Sequence, residues 1–267
     1  MSKTSKQNFI TYAMVIVAYV IFQTLSATGN LSSLMQGLLV PLCTYSILAV
    51  SLNLTVGVLG ELSLGHAGFM CIGAFSSAFF TACMKDTITN DLLRFILAFI
   101  VAAVCAGICG VLIGIPVLRL KGDYLAIVTL AFGEIIMNII NALYVGRDES
   151  GFHFSMKDSM SLNMTENGKI IIKGAQGITG TARQSTFTIG IILLLLTLVI
   201  VLNLMNSRSG RAIMSIRDNR IAAESVGIDI TKYKIMAFAI SASLAGLAGC
   251  LYAHNLSSLT ALPKNFG

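Results

Sequence analysis

Charge is what this chain has least of. Asp, Glu, Lys and Arg make up 11% of its 267 residues, against about 25% in a soluble domain. With 55% hydrophobic residues and a mean hydropathy of +0.83, a soluble globular class is excluded and a multi-span membrane protein is expected. Other scarcities exclude chemistry. The six cysteines form no C-x-x-C pair and lie in or beside apolar runs, where small buried thiols are the plain explanation. The three histidines (His66, His153, His254) are far apart, so no metal site is expected. Gly60-x-x-x-x-Gly65 is followed by His-Ala where a Walker loop needs Lys-Ser/Thr. Any ATP chemistry must therefore come from another chain. The net charge of +6 sits in loops without aromatic interleaving, which argues against nucleic acid.

What is present is a series of apolar runs. They cover residues 9–26, 34–56, an interrupted stretch to 84, 92–118, 124–145, 186–205 and 235–254. The expected fold is therefore all-α, a polytopic integral membrane helical bundle of about seven spans. Lys3 and Lys6 precede the first run, which is read as an uncleaved span although a signal peptide has a similar pattern. Counting from an inside N-terminus places 206–234 inside and the 40-residue stretch 146–185 outside, with ten Lys/Arg inside and eight outside. Asn167-Gly168 before Lys-Ile-Ile-Ile-Lys suggests a small hairpin there. Two faces of small residues, Ala102/Ala106/Gly110/Gly114 and Ser241/Ala245/Gly249, are suited to close helix contact.

Three stretches carry candidate chemistry. Residues 57–68 hold four glycines in twelve residues together with Glu61 and His66. At about 1 kcal/mol per glycine this is poor helix, so a broken or re-entrant segment near a transport path is expected; close packing through small residues is the competing explanation. Glu134 lies about 16 Å into the 124–145 run, with Asn138 and Asn141 at i+4 and i+7, one polar stripe at membrane depth. Such a stripe marks a solute path or hydrogen-bonds a neighbouring helix. Residues 206–234 carry six Lys/Arg against three acids. A helix over 211–226 is expected, with Arg217, Arg220 and Glu224 on one face, Gly227 as its left-handed end and Thr231 capping the next. That arrangement suits a soluble partner; solvated, topology-anchoring charge is the plainer alternative.

Three blocks resemble one family. Leu52-Asn53-Leu54, Gly57 and Gly60-Glu-Leu-Ser-Leu-Gly-His-Ala-Gly-Phe69 are similar to the early glycine-rich block of branched-chain amino acid ABC transporter permeases, M-type. Leu118-Arg-Leu-Lys-Gly-Asp-Tyr-Leu-Ala-Ile-Val-Thr-Leu-Ala-Phe-Gly-Glu-Ile135 resembles their central block. Gly210-Arg-Ala, Ile216-Arg, Ala222-Ala-Glu, Gly227-Ile, Tyr233-Lys and Ala245-Gly-Leu-Ala-Gly249 resemble their cytoplasmic coupling block. The resemblance implies a single permease domain over 1–267, continuing into further spans, in the bacterial inner membrane. It implies a second homologous permease, two cytoplasmic ATP-binding subunits, an external solute-binding protein, and neither cofactor nor catalysis of its own. The path would involve Asn53, Glu61, Ser63, Gly65, His66, Gly68, Glu134, Asn138 and Asn141. The ATPases would engage Arg211, Arg217, Arg220, Glu224 and Gly227, although Ala-Ala-Glu departs from the usual Glu-Ala-Ala order. Urea, a monosaccharide or another small solute is the alternative cargo. An intramembrane enzyme built on Glu61, His66 or Glu134 lacks paired carboxylates, and a self-sufficient channel leaves 206–234 unexplained.

Overall fold

The computed structural model describes residues 3–266 apart from 86, 119, 121, 149–150 and 163–167, with backbone alone for 3–7. Among the described residues seven helices are long and apolar enough to cross a membrane. In chain order they are α1 (Lys3–Ala27), α2 (Ser33–Asn53, continuing as a π-helical turn over Leu54–Leu59), α3 (His66–Cys83), α4 (Asp91–Val117), α5 (Asp123–Ala142), α6 (Phe187–Asn206) and α9 (Ile230–Ala253). Two short helices, α7 (Arg208–Asp218) and α8 (Arg220–Ser225), lie between α6 and α9. The bundle is the expected all-α architecture.

Helix α9 is the hub, with α2, α3 and α4 around it. In lipid no hydrophobic force drives helices together, so contact rests on how closely backbones approach. The small residues set that distance. A Cβ on Gly246 would sit 2.6 Å from both the Ala102 carbonyl oxygen and the Ala106 Cβ, and one on Gly249 would sit 2.1 Å from the Met70 carbonyl oxygen. On α4 the face Ala102/Ala106/Gly110/Gly114 is buried throughout and meets α9 at Ala242, Gly246 and Phe238. Ser241 turns instead to α2, donating to the Ser51 carbonyl at 2.5 Å.

The two ends of the bundle differ. At one end strands β1 (Tyr144–Asp148), β2 (Gly151–Ser155) and β3 (Lys169–Lys173) form a three-stranded antiparallel sheet in the order β2-β1-β3. Strand β4 (Ile178–Thr179) pairs with β5 (Ser258–Leu259), ahead of a last turn, α10 (Pro263–Phe266). The long stretch after α5 is thus folded onto the ends of α5 and α9. Strand β3 pairs with β1; the suggested hairpin turn at Asn167 falls outside the described residues. At the opposite end gather residues 60–65, the start of α5, and α7–α8.

Two expectations at that end are corrected. The helix over 211–226 is two helices, because Asn219 adopts extended backbone (φ −154°) and caps α8 by accepting from the Ala222 N–H. Arg217 therefore ends α7 while Arg220 and Glu224 lie on α8, so they share no single helical face. Thr231 is not the cap of α9. Asp229 is, its carboxylate accepting from the Lys232 N–H at 3.0 Å. Gly227 does take the left-handed conformation, φ +84°.

Replacing Gly246 by leucine forces α9 off α4. We expect the thermal midpoint of the detergent-solubilised protein to fall by roughly 5–10 °C, from the 1–3 kcal/mol typical of overpacking. Gly37→Leu, where an added Cβ meets nothing within 4 Å, leaves the midpoint in place. Equal midpoints for both variants would show that the close contact is not what stabilises the bundle.

Candidate functional site

The 57–68 stretch is broken, over a shorter span than its glycines suggest. The π-helical turn carries Gly57 under the Asn53 amide; a Cβ there would lie 2.1 Å from Asn53 Oδ1. Gly60 then takes φ +78° and ends the turn. Residues 60–65 have no regular backbone, and His66 and Gly68 already belong to α3. Asn53, Gly57, His66 and Gly68 are therefore helical, and the break joins two spans near one end of the bundle. Its depth follows from α5: Thr129, which it touches, is about 9 Å from that helix's start. π-turns and broken helices recur at functional sites because they aim backbone groups that a regular helix would satisfy.

The break is held from two sides. On one side Lys234 of α9, itself 6% exposed, donates to Glu61 Oε1 in a mostly buried ion pair. Arg217 of α7 lays its side chain against Gly60 and donates from Nη1 to the Gly57 carbonyl at 2.8 Å, with Asp218 bridging its other nitrogens. A Cβ on Gly60 would stand 2.5 Å from Arg217 Cγ. On the other side the Leu64 N–H donates to Thr129 Oγ1 at 3.0 Å, and Gly65 and Gly68 lie against Thr129 and Gly133 of α5. A cavity of about 500 Å³ opens beneath, lined among others by Glu61, Asp123, Arg217, Arg220 and Lys234.

Three polar atoms in the stretch are buried without a partner among the described residues: Glu61 Oε2, Ser63 Oγ and His66 Nδ1. The other ring nitrogen of His66 pairs with Ser51 Oγ at 2.8 Å. At about 1–3 kcal/mol for each unmet buried group, three together would cost roughly 3–9 kcal/mol if kept dry. That is as much as a domain's whole net stability. The arrangement is tolerable where water or a polar solute reaches these atoms.

The α5 stripe divides. Glu134 and Asn138 are exposed on the outer face of the helix, amid the exposed Ile127, Leu130, Ile135 and Ile139. Asn138 Nδ2 donates to the Glu134 carbonyl at 2.9 Å. Asn141, further along the same face, donates to the Ala261 carbonyl at 2.7 Å. Glu134 is separated from the break by one residue, Gly133, whose backbone touches Gly65 and Gly68.

Of the loop candidates, Arg217 joins the break and Arg220 lines the cavity. Arg211, Glu224 and Gly227 do neither; all three are exposed, and Arg211 Nη1 donates to the Asn206 carbonyl. Sequence reasoning missed Lys234, Thr129 and Ser51. Lys234 reads as one more loop charge, and its signal is position, a lysine followed by nineteen residues of apolar helix. Thr129 and Ser51 give no signal, being ordinary small hydroxyls in apolar runs.

Apolar helices in backbone contact, interrupted at one end by a polar break, define a polytopic helical membrane permease. The family described as branched-chain amino acid transport system, permease component, matches residues 34–266, and the chain belongs to it. The high-affinity branched-chain amino acid transport system permease protein LivM of Salmonella typhimurium (strain LT2) is 31% identical over 259 residues, which is 94% of this chain and 58% of that protein. The protein of the same name in Escherichia coli K12 is 32% identical over 218 residues, 78% of this chain and 50% of its own length. The chain thus spans about half the length of these relatives. No solved structure matches it.

The two ends of the bundle make orientation measurable. In a background without the six native cysteines, Lys157→Cys in the sheet-bearing end is expected to react with a membrane-impermeant maleimide in intact cells. Ser225→Cys, at the α7–α8 end, is expected to react only after permeabilisation. The reverse pattern would invert the topology.

Proposed function

We propose that this chain is a membrane-spanning subunit of an ATP-driven importer for branched-chain amino acids, without catalysis of its own. Family membership supports the class of cargo. The observation that carries the mechanism is the position of Glu134: a carboxylate exposed on the outer face of a membrane-crossing helix, about 16 Å from its start. A charge there is costly against lipid, so that face is covered by protein or by a hydrated path. A second, homologous permease subunit is the partner that supplies the cover. The solute path then runs between the α5 face with Glu134 and Asn138 and the break with Glu61, Ser63 and His66; Asn141 serves the outer end of α5 structurally.

Energy enters from two ATP-binding subunits beneath the α7–α8 end, the cytoplasmic face of the bacterial inner membrane. The exposed residues there, Arg220, Ile221, Glu224 and Val226, give a mixed charged and apolar surface suited to a soluble protein. An external solute-binding protein delivers cargo at the sheet-bearing end. Movement of α7–α8 alternates the access of the path, as in transporters generally.

Glu134→Gln keeps shape and hydrogen bonding while removing charge; Glu134→Leu removes both. Both variants are expected to assemble and to lower leucine uptake per complex by about tenfold or more, the scale of one lost charged contact. Uptake at the native level in both would remove Glu134 from the path. Separately, Arg220→Glu with Ile221→Asp is expected to leave membrane insertion intact while the ATP-binding subunits no longer copurify. Retained copurification with full uptake would show that α8 is not the docking surface.

A further inference from the structure

The break and the α7–α8 loop are far apart in sequence and touch in the fold. We propose that Lys234 is a positioning residue: its ion pair with Glu61 fastens residues 60–65 to the start of α9, where Ile230 clusters with Ile216 of α7 and Ala223 of α8, and Arg217 of α7 bonds the preceding turn at Gly57, so that the break and the partner-facing loop move as one body. The proposal rests on the reading of that loop as the one ATP-binding subunits move.

The geometry gives the break two attachments on opposite sides and little stiffness of its own. On that side its polar attachment is Glu61, held by Lys234 of α9, with Arg217 of α7 packed on Gly60. Toward the path it is the Leu64 N–H on Thr129, with Gly65 and Gly68 against the α5 backbone. A displacement of α7 therefore reaches α5, and through Gly133 the position of Glu134, by way of residues 60–65. The apolar contacts lie to one side: Leu54, Val58 and Leu59 of the π-helical turn pack on Ile213 of α7 and Ala237 of α9. They can hold the turn in place without transmitting a pull to the irregular segment beyond Gly60. An ion pair resists separation directionally, and its replacement by two apolar side chains is commonly neutral for stability. The pair is thus separable from folding. Glu61 Oε2 is buried and meets no protein group among the described residues, while Oε1 holds the lysine. One side chain then stands at both the attachment and the path.

The test uses the assembled transporter in proteoliposomes, with labelled leucine uptake and ATP hydrolysis read in the same preparation. Glu61→Leu with Lys234→Met replaces the pair by apolar groups and is expected to assemble and to hydrolyse ATP. Leucine moved per ATP is expected to fall about tenfold, within the usual range of coupling between sites. The reciprocal exchange, Glu61→Lys with Lys234→Glu, is expected to recover most of the ratio. A purely structural pair would change the amount of complex and leave the ratio alone, and a role of Glu61 on the path alone would leave the exchanged pair as impaired as the apolar one; either result overturns the proposal. An unchanged ratio in the double apolar variant, with the ATP-binding subunits still bound, overturns the proposal by itself. Failure of the native chain to bind those subunits overturns it together with the reading of the loop.

Discussion

The bundle depends on how closely α9 can be approached. Gly246 and Gly249 let α4 and α3 come to backbone contact with it, and Ser241 bonds directly to the α2 backbone. Without a hydrophobic drive in lipid, such contacts and a few polar links are what make one helix order win over another. Two further polar links sit at the ends of α9. At the sheet-bearing end His254 pairs with Thr81 Oγ1 at 3.0 Å, and at the α7–α8 end Lys234 meets Glu61. Helix α1, by contrast, touches the bundle mainly through α6, where Tyr19 meets Thr188 and Phe187.

A closely packed hub leaves the irregular element elsewhere. The chain departs from helix between Gly60 and Gly65, and there it buries polar atoms that no group among the described residues satisfies. These two departures have one explanation. A segment free of i→i−4 bonds can aim polar groups at a solute and can be displaced without unwinding a helix. Its attachments to α7 and α9 on one side and α5 on the other place it between the surface where ATP-binding subunits are proposed to act and the face carrying Glu134.

Much of this was legible in the sequence, for physical reasons that differ by element. Spans follow from hydropathy and length alone. The α4 face was readable because small residues at four-residue spacing have few other uses in lipid. The 57–68 stretch was readable from its glycines, but its limits were not, since Gly57 and Gly68 serve close packing while Gly60 alone turns the chain. Glu134 and Asn138 are exposed on α5, while Asn141, the third residue of that stripe, is bonded to the Ala261 carbonyl, 120 residues away, a partner that nothing local in the sequence announces. The division of 211–226 into α7 and α8 was missed because Asn219 is tolerated in a helix as well as at a cap. Lys234 was hidden among the loop charges: its place ahead of nineteen residues of apolar helix hints at burial, but nothing local names the distant glutamate it meets.

The central claim is mechanical, that the break and the loop at the inner end form one body. Leu62 and Ile221 both line the inner cavity and both are exposed, so each can carry a spin label. Double electron–electron resonance between them, in the complete transporter without nucleotide and trapped with ATP, tests the claim most directly. The account predicts a single distance that is the same in both states, in preparations whose labelled complexes still take up solute. A distance that shifts or splits when ATP binds would contradict it.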